Sequence, residues 1–383
     1  MKPNLTAGTL PEPIGPVLYL AFELSEKKWK LGFTVGFGQS PRVRDIPARD
    51  IKSLQKEIRM AKDRFKLADT TMVISCYEAG RDGFWLHRCI TSLGILNLVV
   101  DSSSIEVKRR SRRNKTDNLD VRKLLTMLIR YHHGEYKVWS VVKVPSLSIE
   151  DYRQLNRELI ALKKERTQHI NRIKGLLAAQ GKTMAVNSSF EESLTKLRLW
   201  DGRPLSPYMH NRLEREYHRI VLIEEQVKEI DDLRHALLRT AQDPALEQVR
   251  HLMKLKGVGI NSAWLFVMEF FAWREFRNRR EVGALAGLTP THNQSGEASH
   301  DRGISKAGNR FVRSMVIEIA WGWIYHQPNA KSSQWFRDHY ANASKRLRRI
   351  GIVAVARRLL IDFWRYLETG EIPEGAVLLK PSS

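Results

Sequence analysis

The sequence predicts an α/β domain built on a mixed sheet, followed by a largely all-α remainder, and three observations carry that prediction. Between residues 15 and 145, short apolar runs of strand length alternate with amphipathic helical patterns. From Pro145 the apolar residues recur instead at three and four positions over long stretches, the period of a helix face. A proline- and glycine-rich amino terminus precedes these regions, and the pattern changes at Pro145 and again after Pro244.

Taken in order, residues 1–14 are rich in proline and glycine and read as a loose tail. Residues 15–145 form the first domain. Three strands are expected at 17–24, 29–35 and 42–46, then an amphipathic helix at 50–65 marked by Ile51, Leu54 and Ile58. The run 71–77 is almost wholly apolar, as for a strand covered on both faces. A helix at 85–93, a strand at 96–100 and a helix at 117–132 complete the mixed-sheet domain. Residues 146–242 carry two long apolar stripes. One runs from Ile149 to Leu176, with Arg166 its exception; the other runs from Leu213 to Leu237. They suit an antiparallel hairpin or coiled-coil arm, with dimerisation one use and an ordinary intrachain core the other. Residues 243–370 form a mainly helical third region, and 371–383 read as a tail.

Composition narrows the function. The 383 residues hold 64 Lys and Arg against 42 Asp and Glu, a formal net charge of +22. Such an excess calls for a polyanionic partner, because Lys and Arg neutralise phosphates with release of counterions. No apolar run approaches the roughly 20 residues that span a bilayer, and no secretory leader opens the chain, so neither membrane insertion nor export is expected. Two cysteines, Cys76 and Cys89, and scattered histidines offer no four-ligand zinc spacing. Buried reduced thiols in a cytoplasmic, nucleoid-associated protein of a bacterium or archaeon are the expectation.

Four acids and one serine carry the candidate chemistry. Asp117 and Asp120 lie three residues apart at a helix start, hence on one face. Glu23 and Glu78 each follow an apolar run, at the ends of the first and fourth strands. Carboxylates at strand ends beside such a helix are how a sheet converges hard oxygen ligands on Mg²⁺ or Mn²⁺. Singly, each also fits a solvated surface group; Asp117 after Thr116 fits a helix terminus. Ser295 lies in a polar stretch before Gly296 and offers a hydroxyl nucleophile; turn chemistry would account equally for a serine there. His292, His300 and Lys306 are its neighbours in sequence, but none stands at a fixed spacing for a base.

Basic groups surround these candidates. Lys108, Arg109, Arg110, Arg112, Arg113 and Lys115 precede the aspartates and suit a nucleic-acid backbone held beside them. Lys345, Arg346, Arg348 and Arg349 form a second run before the last helix. Gly257 and Gly259 flank a turn whose backbone N–H groups suit a phosphate, and Lys306 and Arg310 follow the serine. Trp29, Trp85, Trp139, Trp200 and Trp264 are expected in the core, while Trp321, Trp323 and Trp335 fit either core or base stacking.

In order along the chain, Phe22-Glu23-Leu24-Ser25, Tyr77-Glu78-Ala79 and Lys115-Thr116-Asp117-Asn118-Leu119-Asp120 resemble the RuvC-like domain of DEDD-type insertion-sequence transposases, related to the Piv and MooV DNA invertases. Gly257-Val258-Gly259, Leu285-Ala286-Gly287-Leu288-Thr289-Pro290, Ser295-Gly296 and the segment Gly303 to Arg310 resemble that family's transposase domain. The resemblance covers nearly the whole chain. It implies an RNase H-like (RuvC-like) fold for the first domain and a DNA recombinase that inserts and excises a mobile element. It also implies a non-coding bridge RNA that selects donor and target DNA, a Mg²⁺-binding tetrad of Glu23, Glu78, Asp117 and Asp120, and Ser295 as nucleophile through a phosphoserine linkage. The family's first acid is aspartate; Glu23 is longer by one methylene, in a site where Mg²⁺ tolerates little geometric error. The acids are expected to activate Ser295 or steady the scissile phosphate, and a dimer or tetramer is expected because strand exchange needs several sites together. The alternatives are a metal-dependent nuclease or resolvase that hydrolyses DNA through the acids alone, and a non-catalytic nucleic-acid-binding derivative.

Overall fold

A computed structural model describes residues 15–105, 117–295 and 298–379. The chain divides into two compact units, residues 1–144 and 145–383.

The first unit is built on five strands: β1 (Val17–Leu24), β2 (Lys28–Thr34), β3 (Arg42–Pro47), β4 (Met72–Glu78) and β5 (Leu96–Val100). Their order in the sheet is β3-β2-β1-β4-β5. The first three form an antiparallel meander, whereas β4 pairs parallel to β1 and β5 parallel to β4. Parallel pairing requires helical crossovers, supplied by α1 (Ile51–Arg64) and α2 (Trp85–Ser92). Asp50 caps α1 by accepting from the Ser53 backbone N–H, and that bond holds its carboxyl below the usual range.

The strands alternate between two faces. Leu18, Leu20, Phe22, Val73, Tyr77 and Val99 pack with α1 and α2. Tyr19, Ala21, Ile74, Cys76 and Val100 pack instead with Val121, Leu124, Leu125 and Leu128 of α3 (Asp117–His132). The sheet is therefore covered on both sides, which is why β1 and β4 are nearly continuous apolar runs. Cys76 is buried there, and burial pushes its thiol well up, keeping it protonated and inert.

The second unit begins with α4 (Leu147–Ala178), followed by α5 (Phe190–Lys196) and α6 (Pro207–Thr240). Leu159 and Leu162 meet Ile223 and Ile230, whereas Ile173 and Leu177 meet Leu213, Tyr217 and Ile220, so α4 and α6 are antiparallel. Their apolar stripes bury one another within one chain. Arg166, the exception in the stripe, pairs with Glu224 of α6 at 3.4 Å. Beyond the hairpin, α7 (Pro244–Met253), α8 (Ile260–Phe266), α9 (Arg279–Leu285), α10 (Arg310–His326), α11 (Lys331–Tyr340) and α12 (Lys345–Thr369) enclose a large apolar core around Trp264, Phe266, Trp323 and Phe363. Two strands interrupt the helices: β6 (Pro290–Ser295) and β7 (Ala298–Ile304) pair antiparallel. Ala376 and Leu378 pack on this core, and Leu255 bridges to Leu378. No helix of the described residues is long and apolar enough to cross a membrane.

Trp29, Trp139 and Trp264 are buried as expected. Two tryptophans expected in the core are not there: Trp85 is half-exposed, and Trp200 is 87% exposed. Trp200 sits in the short turn from Leu199 to Arg203, closed by Leu199 N donating to Arg203 O.

Candidate functional site

Glu23 and Glu78 occupy matching places on adjacent parallel strands. Phe22 lies beside Tyr77 in register, so the two glutamates follow side by side at the carboxyl ends of β1 and β4. The two-residue period of a strand carries Glu23 onto the face of Tyr19 and Ala21, and Glu78 onto that of Ile74 and Cys76. Both acids thus stand on the face covered by α3.

Three contacts fix the direction of α3 over that face. The Tyr19 hydroxyl near the start of β1 meets His132 Nδ1 at the end of α3, at 2.7 Å. Cys76 Sγ lies 4.0 Å from the Leu124 carbonyl oxygen. Gly32, paired with Ala21, faces Val121 and Leu125 so closely that a Cβ there would stand 2.2 Å from Val121 Cγ1. The helix therefore runs antiparallel to β1, and its first turn lies toward the strand ends that carry Glu23 and Glu78. Asp120 is four residues before Leu124 and continues the sheet-facing stripe; Asp117 opens the helix, four residues before Val121. The Asp117 side chain lies outside the described residues. Among the described residues, no three His, Cys, Asp or Glu side chains gather closely enough to hold a metal ion. The basic cluster from Lys108 to Lys115 also lies outside the described residues.

In the second unit, Ser295 is the last residue of β6 and pairs with Ala298. Its side chain, those of His292 and His300, and residue Gly296 lie outside the described residues. The root of the hairpin is described and tightly built. Ser305 N donates to Thr289 O at 2.9 Å, Lys306 N to Gly287 O at 3.1 Å, and Asn309 N to Leu285 O at 3.3 Å. The two glycine-bearing segments are thereby zipped together. Gly287 (φ +70°) and Gly308 (φ +85°) permit the contact: a Cβ on either would stand 1.9 Å from a backbone oxygen of the other segment. Lys306 is exposed and held at φ +55°, and Arg310 is exposed at the first position of α10.

Asn309 links this root to a buried carboxylate. Its Oδ1 caps α10 by accepting from the Phe311 and Val312 backbone N–H groups, and its Nδ2 donates to Glu269 Oε2 at 3.3 Å. Glu269 is fully buried in a π-helical turn (Val267–Phe271). Arg153 and Arg157 of α4 complete its shell, at 3.2 and 2.7 Å. Burial alone would raise the Glu269 pKa; the Arg157 hydrogen bonds and the two guanidinium charges more than offset it, and the carboxyl lies below its usual value. Sequence reasoning missed this group. Its signal was a single acid inside the apolar run from Ala263 to Phe271, a placement that is costly unless cations meet it.

The Gly257–Gly259 turn is largely occupied by protein. Lys256 N donates to Val377 O, Val258 N donates to Leu255 O, and Gly257 (φ +93°) packs on His326. Gly259 is exposed and precedes α8, which has only seven residues. Beneath it, Arg234 is fully buried over Trp264 and donates to Ile260 O and Asn261 Oδ1; burial pushes its pKa down to about 10. Lys345, Arg346, Arg348 and Arg349 are all exposed in the first turns of α12.

Comparison with known proteins bears on both units. Residues 249–336 match the family model for the transposase IS116/IS110/IS902 family, a span that includes Ser295 and both zipped segments. The chain is similar to the putative transposase y4rJ of Sinorhizobium fredii (strain NBRC 101917 / NGR234), 38% identical over 95% of each chain. It is also similar to the transposase for insertion sequence element IS1111A of Coxiella burnetii, 25% identical over 74% of this chain and 75% of that one. A shorter match, 27% identical over 43% of this chain and 48% of the relative, joins it to the transposase for insertion sequence element IS1328 of Yersinia enterocolitica.

Proposed function

The chain belongs to the IS116/IS110/IS902 transposase family, and from that premise we propose that it exchanges DNA strands with a serine nucleophile in its second unit and a RuvC-like acidic site, its own or a neighbouring copy's, in the first. The observation that carries the reading is the shared face and shared end of Glu23, Glu78 and Asp120, with Asp117 at the start of the same helix. A mixed sheet of three antiparallel strands extended by two parallel ones, with acids at the carboxyl ends, supports the RuvC-like assignment.

The donor set is all carboxylate, the chemistry that suits Mg²⁺ or Mn²⁺ rather than a softer ion. Glu23, Glu78, Asp117 and Asp120 would have to draw together to hold it, because the three described among them do not gather closely enough for a metal ion, and when bound it would supply positive charge against a scissile phosphate. Ser295 Oγ is the attacking atom. Its bond to phosphorus forms as the phosphorus–sugar oxygen bond breaks; the serine proton leaves to a base and the sugar oxygen takes one up. Attack by a second sugar hydroxyl on the phosphoserine reverses the step and joins new strands, so bond energy is kept without hydrolysis.

Two features support a large polyanionic partner. The net charge is +22. Four cations also crowd the amino-terminal end of α12, where the helix dipole favours anions, so that end is electrostatically unfavourable until phosphates meet it. In this reading donor and target DNA are the substrates and a non-coding RNA selects them, with two or four copies acting together. The test is a Ser295→Ala variant assayed on end-labelled element DNA. The protein–DNA adduct is expected to vanish, and an adduct that survives would overturn the assignment. Asp120→Asn should lower strand cleavage, and sequencing of copurified RNA should recover one discrete species if the guide reading holds.

A further inference from the structure

The closed end of the α4–α6 hairpin presents two large aromatic side chains to solvent. Trp200 is 87% and Tyr208 88% exposed, at a place where burying them on the nearby apolar cluster would be favourable. Neither sits on a loose segment. Trp200 belongs to a tight turn in which Leu199 N donates to Arg203 O at 2.7 Å, Arg198 bridges to Pro204, and Gly202 takes φ +81°. Asp201 fixes the turn from inside by accepting from Arg203 N at 3.1 Å and Arg203 Nε at 2.6 Å. Tyr208 lies in the first turn of α6, after the Ser206 cap and Pro207. Leu205 and Leu213, on either side of it, are buried with Phe190 and Leu194. A rigid scaffold thus holds both rings outward.

Five exposed cations surround the two rings: Lys196 pairs with Glu192 and Arg203 with Asp201, which leaves Arg198, Arg212 and Arg215 for a ligand. Arg198, Arg212 and Arg215 have no carboxylate partner among the described residues, and Asp201 is already satisfied by Arg203. Rings outside and guanidiniums around them match what an unpaired nucleic-acid strand presents: base faces that stack and phosphates between them. A duplex hides its base faces and offers no such contact. A second copy of the chain is the poorer occupant, because a twofold contact at this end would bring the same cations against themselves.

We propose that the hairpin end is a binding site for an unpaired DNA strand, with Trp200 and Tyr208 stacking on bases and Arg212 and Arg215 engaging phosphates. The site rests on the DNA transposase assignment, since strand exchange exposes unpaired DNA, and is independent of the roles of Ser295 and the acids.

The experiment uses the full chain and an oligothymidylate carrying 4-thiothymidine, with photocrosslinks mapped by mass spectrometry and affinity read by fluorescence anisotropy. Crosslinks are expected at Trp200 or Tyr208. W200A/Y208A should weaken binding about tenfold or more, W200F should retain most of it, and the salt dependence should not change. R212Q/R215Q should lower the salt slope by about 0.7 for each charge removed. Melting curves of all variants should match the parent, because both rings are already in water. Ser295→Ala should bind the oligonucleotide normally, which separates failure of this site from failure of the nucleophile. Crosslinks elsewhere with unchanged affinity of W200A/Y208A would overturn the proposal. Tighter, equally ring-dependent binding of oligouridylate would reassign the site to RNA. A fall in sedimentation mass of W200A/Y208A with intact DNA binding would reassign it to a second copy.

Discussion

Arg157 grips Glu269 with two parallel bonds, Nε to Oε1 at 2.7 Å and Nη2 to Oε2 at 3.1 Å. Together with Arg153 and Asn309, this fork joins α4, the π-helical turn and the root of the Ser295 hairpin through one buried carboxylate. Removing that carboxylate leaves two guanidiniums facing one another in a poorly solvated place, the costly half of a broken buried ion pair. Glu269→Ala should therefore destabilise residues 145–383 by about 3 kcal/mol in urea unfolding. Arg157→Lys should cost less, since it keeps the charge and loses the fork.

The same carboxylate predicts an acid limit. The folded pKa of Glu269 lies below its unfolded value, so its ionised form stabilises the fold above the unfolded carboxylate range of about 4.3. That contribution declines as pH falls through the folded pKa. Melting temperatures followed from pH 6 downward should fall more steeply for the parent than for Glu269→Gln.

Asp362 predicts the opposite slope. Burial raises its pKa to about 6, with Arg365 and Arg358 opposing the shift only in part. The folded chain holds this proton more tightly than the unfolded one, so stability falls as pH rises from about 4 to about 6. Asp362→Asn should remove that loss and stabilise the chain at pH 7 by about 1–2 kcal/mol. The full displacement would give about 3 kcal/mol, and the water still reaching the side chain reduces it. Equal melting temperatures for parent and variant at pH 4, and a higher one for the variant at pH 7, are the expected result.

Legibility in the sequence followed the physics of burial. β1 and β4 were readable because strands covered on both faces are almost wholly apolar, and the acids that end them stood out against those runs; β2 and β3 mix charged with apolar residues. The β6–β7 hairpin was not readable. Pro290 to Ser295 is polar throughout, so no alternation of apolar residues marked it as a strand. The glycine-bearing segments around Gly287 and Gly308 were visible as motifs, but nothing local shows that each occupies the space a Cβ would need on the other. Trp200 was misplaced because a tryptophan's size argues for burial wherever a core is near, whereas it lies in the turn from Leu199 to Arg203 and is exposed.

The cations at the start of α12 give a prediction in which stability and binding move apart. Arg346 and Arg349 are exposed and oppose the helix dipole, so Arg346→Glu with Arg349→Glu should raise the melting temperature of the free protein slightly. The same change should weaken duplex DNA binding and lower the magnitude of its salt slope by about 2 or more, because two phosphate contacts are lost and repulsion is added. A loss of both stability and binding would show that these side chains support the fold instead.

Gly32 tests whether the approach of α3 to the sheet matters to the acids. A Cβ at this position would stand 2.2 Å from Val121 Cγ1, on the residue that follows Asp120, and 3.0 Å from Leu125 Cδ1. Gly32→Ala must push the helix off β2 or force Val121 from its rotamer, at about 1–3 kcal/mol. If Glu23, Glu78 and Asp120 work together at the strand ends, the shift should reduce cleavage of element DNA far more than the modest loss of folded protein explains. Hydrogen exchange should localise the change to the first turns of α3. Val121→Ala, which vacates the space the new methyl needs, should restore cleavage in the Gly32→Ala background. Restoration of stability without restoration of cleavage would show that the spacing of α3 from the sheet is not what positions the acids.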